Sequence, residues 1–311
     1  GDNGAFGAGL LAGWTAWGTR PEFRLVTGIS TGALIAPFAF LGPDYDATLR
    51  SAYTEVSSSD IFEPRPFYSA LFGDAMADSA PMRRMIERYI TPELLRAIAA
   101  EYDKGRILLV GTTDLDSRRP VIWNMTAIAS SSAPGAIELF RQIILASASI
   151  PGAFPPVMID VQVNGQTYQE MHVDGGAPAQ VFVYPPRLNV NEMREEVGGA
   201  ERQSTLYVIN NGRMDPAWAS VDRRTMTIAG RAVSSLIQTQ GAGNVYQIYN
   251  TSQRDGMDFN LAFIPSEFNT PHTEDFDQTY MRSLFLYAYD LARDGYPWQK
   301  VPPNLVTAAR D

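Results

Sequence analysis

The stretch RLVTGISTGALIAPFAFLG, from Arg24 to Gly42, constrains this chain more than any other. A short β-branched run gives way within a few residues to an apolar, alanine-rich run, and Ser30 sits at the change between Gly28 and Gly32. Gly28-Ile29-Ser30-Thr31-Gly32 fits G-x-S-x-G, the pattern of a sharp strand-to-helix turn that carries an exposed serine. The spacing predicts a strand over 24–27 and a helix over 31–41, kinked at Pro37, which lacks an N–H and crowds the preceding turn. Glycines on both sides have a mechanical reason, since so tight a turn leaves no room for side chains beside the serine. The bland alternative is a helix N-cap, a position that serine favours.

Such a turn belongs to an α/β chain, and the remaining sequence agrees. Residues 4–18 read as a small-residue helix that stops at Gly18. Residues 43–103 are mostly helical, with apolar faces at helical spacing in PMRRMIERYI and TPELLRAIAAEY. Strands are predicted at 106–114 and 120–125 and a helix over 134–147. VMIDVQV and QTYQEMHVD flank Asn164-Gly165, the strongest short hairpin signal. A strand at 204–210, a helix over most of 222–251, a strand at 259–265 and a closing helix over 276–294 follow. Strands alternating with helices predict one α/β domain over residues 1–311, with a mostly parallel central sheet and an antiparallel hairpin insert.

Composition removes several function classes. The chain has 311 residues, 45% hydrophobic and 19% charged, enough to bury an ordinary core. A formal net charge of -9 argues against nucleic acid, whose phosphates require a basic footprint, and against a polybasic lipid tether. With no cysteines there is no thiol catalysis, disulfide or Cys-zinc site. The two histidines, His172 and His272, lack a second nitrogen ligand nearby, so neither a metal nor a cofactor is expected. No stretch approaches the ~18 uninterrupted apolar residues of a membrane span. The opening Gly1-Asp2-Asn3-Gly4 reads as the middle of a loop, and residues upstream of it are expected.

Four further stretches bear on chemistry. The glycine-rich opening leads into a helix N-terminus, whose bare N–H groups and dipole suit a phosphate or the oxyanion of a tetrahedral intermediate. Gly7, Gly9 and Gly13 read instead as small contacts to a neighbouring helix. Asp174-Gly175-Gly176 ends a strand, commonly a plain turn, but a nucleophilic serine needs a base. His172 shares a strand face with Asp174, although a buried, hydrogen-bonded histidine is the commoner arrangement. ASASIPGAFPPV at 146–157 reads as a rigid irregular segment after a helix. Asp114 and Asp116 in TTDLDSRRP are a turn unless further oxygen ligands join them.

Together these motifs resemble the patatin-like phospholipases, lipid acyl hydrolases with a Ser–Asp dyad. That family's pattern is a G-G-G-x-R/K-G oxyanion loop, then G-x-S-x-G, an A-S-x-x-x-P block and D-G-G/A. Here Gly1–Gly4 correspond to the end of the first, Gly28–Gly32 to the second, Ala146–Pro151 to the third and Asp174–Gly176 to the fourth, in the family's order over roughly residues 1–185. The resemblance implies a three-layer α/β sandwich related to, but distinct from, the α/β-hydrolase fold. It implies Ser30 as nucleophile, Asp174 as the base acting without a histidine, and an oxyanion hole from Gly1, Asp2 and Thr31. Gly4, Gly28, Gly32, Gly175 and Gly176 complete the motifs. The substrate would be a lipid or simpler ester, met at a membrane or micelle surface, and the cell envelope or secretion is the favoured location.

One departure matters. Asn3 stands where the family has Arg or Lys, which weakens the case for a phospholipid headgroup and leaves uncharged esters. ALIAPFAFL and the aromatics near 62–72 are candidates for an acyl-chain cleft. Two rival readings stay open: an α/β-hydrolase with a Ser30–Asp174–His272 triad, and a lipid-binding protein of the same fold without activity.

Overall fold

In a computed structural model the described residues are 1–64, 75–176, 204–215 and 221–303. They fall into two compact units, residues 1–180 with 269–296, and residues 181–268 with 297–311. All four motifs lie in the first.

The first unit contains helices α1 (Gly4–Trp17), α2 (Thr31–Leu41), α3 (Asp46–Thr54), α4 (Ser58–Ile61), α5 (Ala80–Tyr89), α6 (Pro92–Tyr102), α7 (Met125–Ser130) and α8 (Ala136–Ser147). Its main strands are β1 (Leu25–Gly28), β2 (Ile107–Asp114), β3 (Arg119–Asn124), β4 (Val157–Val163) and β5 (Gln166–Asp174). A pair of two-residue strands, Glu63–Pro64 with Ala77–Asp78, stands apart. In the second unit, β6 (Thr205–Asn210) runs parallel to β7 (Asp258–Phe263), and helix α9 (Thr225–Arg254) packs on β7. Val208, Val245, Ile248, Phe259 and Leu261 form that unit's core. The closing helix α10 (Gln278–Arg293) belongs to the first unit.

Helix α1 is apolar on every side, and such a helix must be buried. Gly4 to Leu11, Gly13 and Trp14 are all inaccessible. Its small residues let α10 press in: a Cβ on Gly9 or Gly13 would run into the carbonyl oxygen of Phe285 or Tyr289. The packing role read from the sequence for these two glycines holds. Gly18 ends the helix in the left-handed conformation, at φ 78. Helix α2 spans the predicted residues and continues through Pro37.

The parallel component expected of the sheet is β1 on β2 and, in the second unit, β6 on β7. The other pairings are antiparallel, because two tight hairpins, β2–β3 and β4–β5, supply most of the strands. One consequence positions the site. Strand β3 takes one edge of β2, so β1 and β5 share the opposite edge. They meet end to end: β1 stops with Gly28 opposite Val110, and β5 stops with Asp174 opposite Thr112. Only Gly111 separates the two strand ends along β2. The turns that leave β1 and β5 therefore emerge at one place, although they lie far apart in sequence.

Candidate active site

Ser30 occupies that meeting point. Its backbone has φ 55 and ψ -127, a conformation that a residue with a Cβ holds only under strain of about 1–3 kcal/mol. Three contacts enforce it. The Gly32 N–H donates to the Ile29 carbonyl at 2.8 Å and the Ala33 N–H to the Ser30 carbonyl at 2.9 Å. The Ser30 N–H donates to Ser147 Oγ at 3.0 Å, and the Ser147 hydroxyl donates in turn to the Gly111 carbonyl at 2.7 Å. Ser147, fully buried at the end of α8, thus ties the serine turn to the residue between the strand ends.

The two glycines of G-x-S-x-G are not equivalent. A Cβ on Gly28 would collide with the carbonyl oxygen of Gly32. At Gly32 a Cβ would meet nothing within 4 Å. Steric exclusion beside the serine therefore applies on the strand side alone. Ser30 heads α2 without capping it through its side chain. The Ser30 hydroxyl lies beside the Asp174 carboxylate instead.

Asp174 is buried, and three groups fix it: its N–H donates to the Ser149 carbonyl at 2.8 Å, its carbonyl accepts from Thr113 Oγ1 at 2.9 Å, and its Oδ1 accepts from the Gly176 N–H at 2.7 Å. Burial pushes its carboxyl above the ordinary carboxylate range, opposed by the Ser30 hydroxyl beside it and the Gly176 N–H. Gly175 lies flat on the site, where a Cβ would stand 2.5 Å from the Gly111 oxygen and 3.1 Å from Ile29 Cγ2. The third motif thus supplies a contact to each partner, Ser147 to Ser30 and Ser149 to Asp174.

The opening residues approach from the other side. Thr31 Oγ1 donates to the Gly1 carbonyl at 2.9 Å and lies 2.7 Å from the Tyr53 hydroxyl. Burial pushes the Tyr53 phenol up, so it stays neutral. A Cβ on Gly4 would strike Thr31 and Tyr53, which accounts for the glycine that starts α1. The N–H groups of Asp2 and Thr31 have no acceptor among the described residues.

A family model for patatin-like phospholipase matches residues 1–183. The chain belongs to the patatin-like phospholipase family. Its fold is the patatin-like α/β fold. No curated protein matches the chain.

Neither histidine is bonded to Ser30 or Asp174. His172 is wholly buried, with Nδ1 3.0 Å from Thr112 Oγ1 and Nε2 3.2 Å from Glu170, so the bland reading of it applies. His272 Nε2 lies 2.6 Å from Asp2 Oδ2. The triad expectation fails there, because the histidine is engaged by the opening loop. Asp114 and Asp116 form a turn: Asp114 accepts from the Asp116 N–H and the Ser117 hydroxyl, and Asp116 accepts from the Met171 N–H. Among the described residues no cluster of three or more acidic or histidine side chains could hold a metal ion.

An apolar cleft opens beside the opening loop. Gly1, Leu34, Phe38, Tyr53, Ile86 and Phe276 are among its walls, and its cavity volume is about 40 Å³. Leu34 and Phe38 follow Ser30 at intervals of four, so α2 presents them on the face that begins at the serine. From the ALIAPFAFL segment, Leu34 and Phe38 line this cleft. Of the aromatics near 62–72, Phe62 packs on Phe154 and Phe276; those at 65–72 lie outside the described residues. Sequence reasoning placed Ser147 in the A-S-x-x-x-P block without giving it a role, and missed Tyr53 and Phe276. The one signal available was Gly111, an interior strand glycine, which marks close backbone approach.

Proposed function

We propose that this protein hydrolyses carboxylic esters of lipids through an acyl-enzyme on Ser30, with Asp174 as the base. Family membership supports lipid acyl hydrolase activity. The placement of the Ser30 hydroxyl beside a buried Asp174, where β1 and β5 end on either side of Gly111, supports this assignment of roles.

Ser30 Oγ attacks the acyl carbonyl carbon, and its proton passes to the Asp174 carboxylate. The carbonyl oxygen becomes an oxyanion beside the N-terminus of α2 and the N–H groups of Asp2 and Thr31. Collapse breaks the ester C–O bond, and the leaving alkoxide takes the proton from Asp174. Water then attacks the acyl-enzyme, gives a proton to Asp174, and releases the fatty acid as that proton returns to Ser30. A carboxylate at its model value near 3.9 is a feeble base for a serine hydroxyl. Burial of Asp174 strengthens it, and the oxyanion donors stabilise the charge that develops.

The apolar cleft suits an acyl chain presented from a membrane or micelle surface. Asn3, with its Oδ1 bonded to the Tyr280 hydroxyl at 2.7 Å, offers no cation to a phosphate, which favours esters with an uncharged leaving group. Among the described residues no helix is long and apolar enough to cross a membrane. The test is labelling of Ser30 by a fluorophosphonate, expected in the wild type and lost in Ser30→Ala, beside turnover of p-nitrophenyl esters and phosphatidylcholine. Folded wild-type protein that neither labels nor turns over any of these esters would favour the inactive lipid-binding alternative.

A further inference from the structure

The opening loop is held by a distant part of the chain. Asp2 Oδ2 accepts from the backbone N–H of Phe276 at 3.1 Å and lies 2.6 Å from His272 Nε2, while Asp2 Oδ1 accepts from the Asn3 N–H at 2.9 Å. The next residue is gripped by the same segment, for the Tyr280 hydroxyl donates to Asn3 Oδ1 at 2.7 Å. The rings of Tyr280 and His272 lie against each other, 4.4 Å between centroids. The Asp2 side chain is only 14% exposed, so its charge-assisted bonds are shielded from water. Phe276 adopts φ 60, a left-handed conformation unfavourable for a bulky residue, which its N–H bond to Asp2 helps to hold. In that conformation its ring lines the apolar cleft together with Gly1 and packs on Phe62 at 6.2 Å.

Resting on the ester-hydrolase reading above, we propose that the Asp2 carboxylate is a latch that joins the oxyanion loop to the turn at 272–276. His272 is then a positioning residue: through Asp2 it fixes the backbone of residues 1–3 against the developing oxyanion. Phe276 is a specificity-determining residue, whose ring is set into the wall of the acyl cleft by the same carboxylate oxygen. The two ends of the latch make different demands on the kinetics. Loosening the loop weakens an interaction made in the transition state and lowers kcat, whereas moving the ring changes which acyl chains fit. A tether that merely stabilised the fold would move the unfolding midpoint and leave both quantities alone in the folded enzyme.

The experiment compares p-nitrophenyl butyrate with p-nitrophenyl laurate. His272→Ala is expected to lower kcat about tenfold on both esters with little change in KM, as loss of loop alignment does. His272→Gln, which keeps an N–H donor, recovers most of that loss. Asp2→Ala lowers kcat and also changes the laurate-to-butyrate ratio of kcat/KM by about threefold or more, because it frees both partners. Phe276→Ala shifts the same ratio in the same direction and serves if Asp2→Ala fails to fold. The double variant of Asp2 and His272 is no slower than Asp2→Ala alone. Additive losses in that double variant would overturn the latch. So would His272→Ala and Phe276→Ala with wild-type kcat and chain-length ratio. Fluorophosphonate labelling of the wild type separates the two readings: failure to label removes the hydrolase assignment itself, while normal labelling with unresponsive variants removes the latch alone.

Discussion

Ser147 is the least conspicuous member of the site and the most exacting test of how its geometry is maintained. Ser147→Ala deletes the hydroxyl that accepts the Ser30 N–H and donates to the Gly111 carbonyl. Each backbone group left buried and unpaired costs about 1–3 kcal/mol. Relaxation of the strained Ser30 backbone recovers part of that sum, up to about 1–3 kcal/mol. The expected net loss is about 1–3 kcal/mol, a sizeable fraction of the ~5–15 kcal/mol that holds a typical domain together. The relaxation that limits the loss also draws Ser30 Oγ away from Asp174, and a displacement near 1 Å costs about 100-fold in kcat. Urea unfolding followed by circular dichroism measures the first quantity, and ester turnover by the folded variant the second. Stability within about 0.5 kcal/mol of wild type together with an unchanged kcat would refute the claim that Ser147 holds the turn.

Asp174→Asn is expected to lower kcat by about 10³-fold or more, the loss of a general base, while Ser30 stays in place. Because burial raises the Asp174 pKa, the folded state holds this proton more tightly than the unfolded chain does. Its contribution to stability is complete below about pH 3.9 and is lost as pH rises through the folded pKa, so Asp174→Asn gains on the wild type in urea midpoint as pH increases. For the same reason the acidic limb of the kcat/KM profile lies above the ordinary carboxylate range. Gly28→Ala and Gly32→Ala separate the two glycines of the serine motif: the first sets a Cβ against backbone and is expected to prevent folding, measured as soluble yield. The second meets open space on a helix and is expected to match or exceed wild-type stability by up to ~1 kcal/mol.

Local patterns were legible in the sequence, down to single residues in places. Helix α2 and both strands of the Asn164-Gly165 hairpin have the predicted bounds, because turn chemistry and apolar spacing act within a few residues. Helix α7 went unread, since its start depends on the Asn124 side chain accepting the Ala127 N–H at 3.0 Å, and its first residue, Met125, had been absorbed into a strand. The pairing of Ser30 with Asp174 was expected from the resemblance; its physical cause was not visible. That cause is the end-to-end arrangement of β1 and β5 along one edge of β2, a long-range register that no local pattern encodes. His272 shows the opposite failure. Chain order alone made it a plausible third member of a triad, while its Asp2 contact depends on residues 270 apart.

The close seating of α1 on α10 at Gly9 and Gly13 has a consequence for biosynthesis. The opening loop leaves the ribosome some 270 residues before the turn at 272–276 that anchors it, and before the helix ending at Arg293. During translation the glycine-lined flank of α1 must wait uncovered for its mate. A polypeptide ended at residue 183, where the family match stops, would carry every motif and still lack that mate.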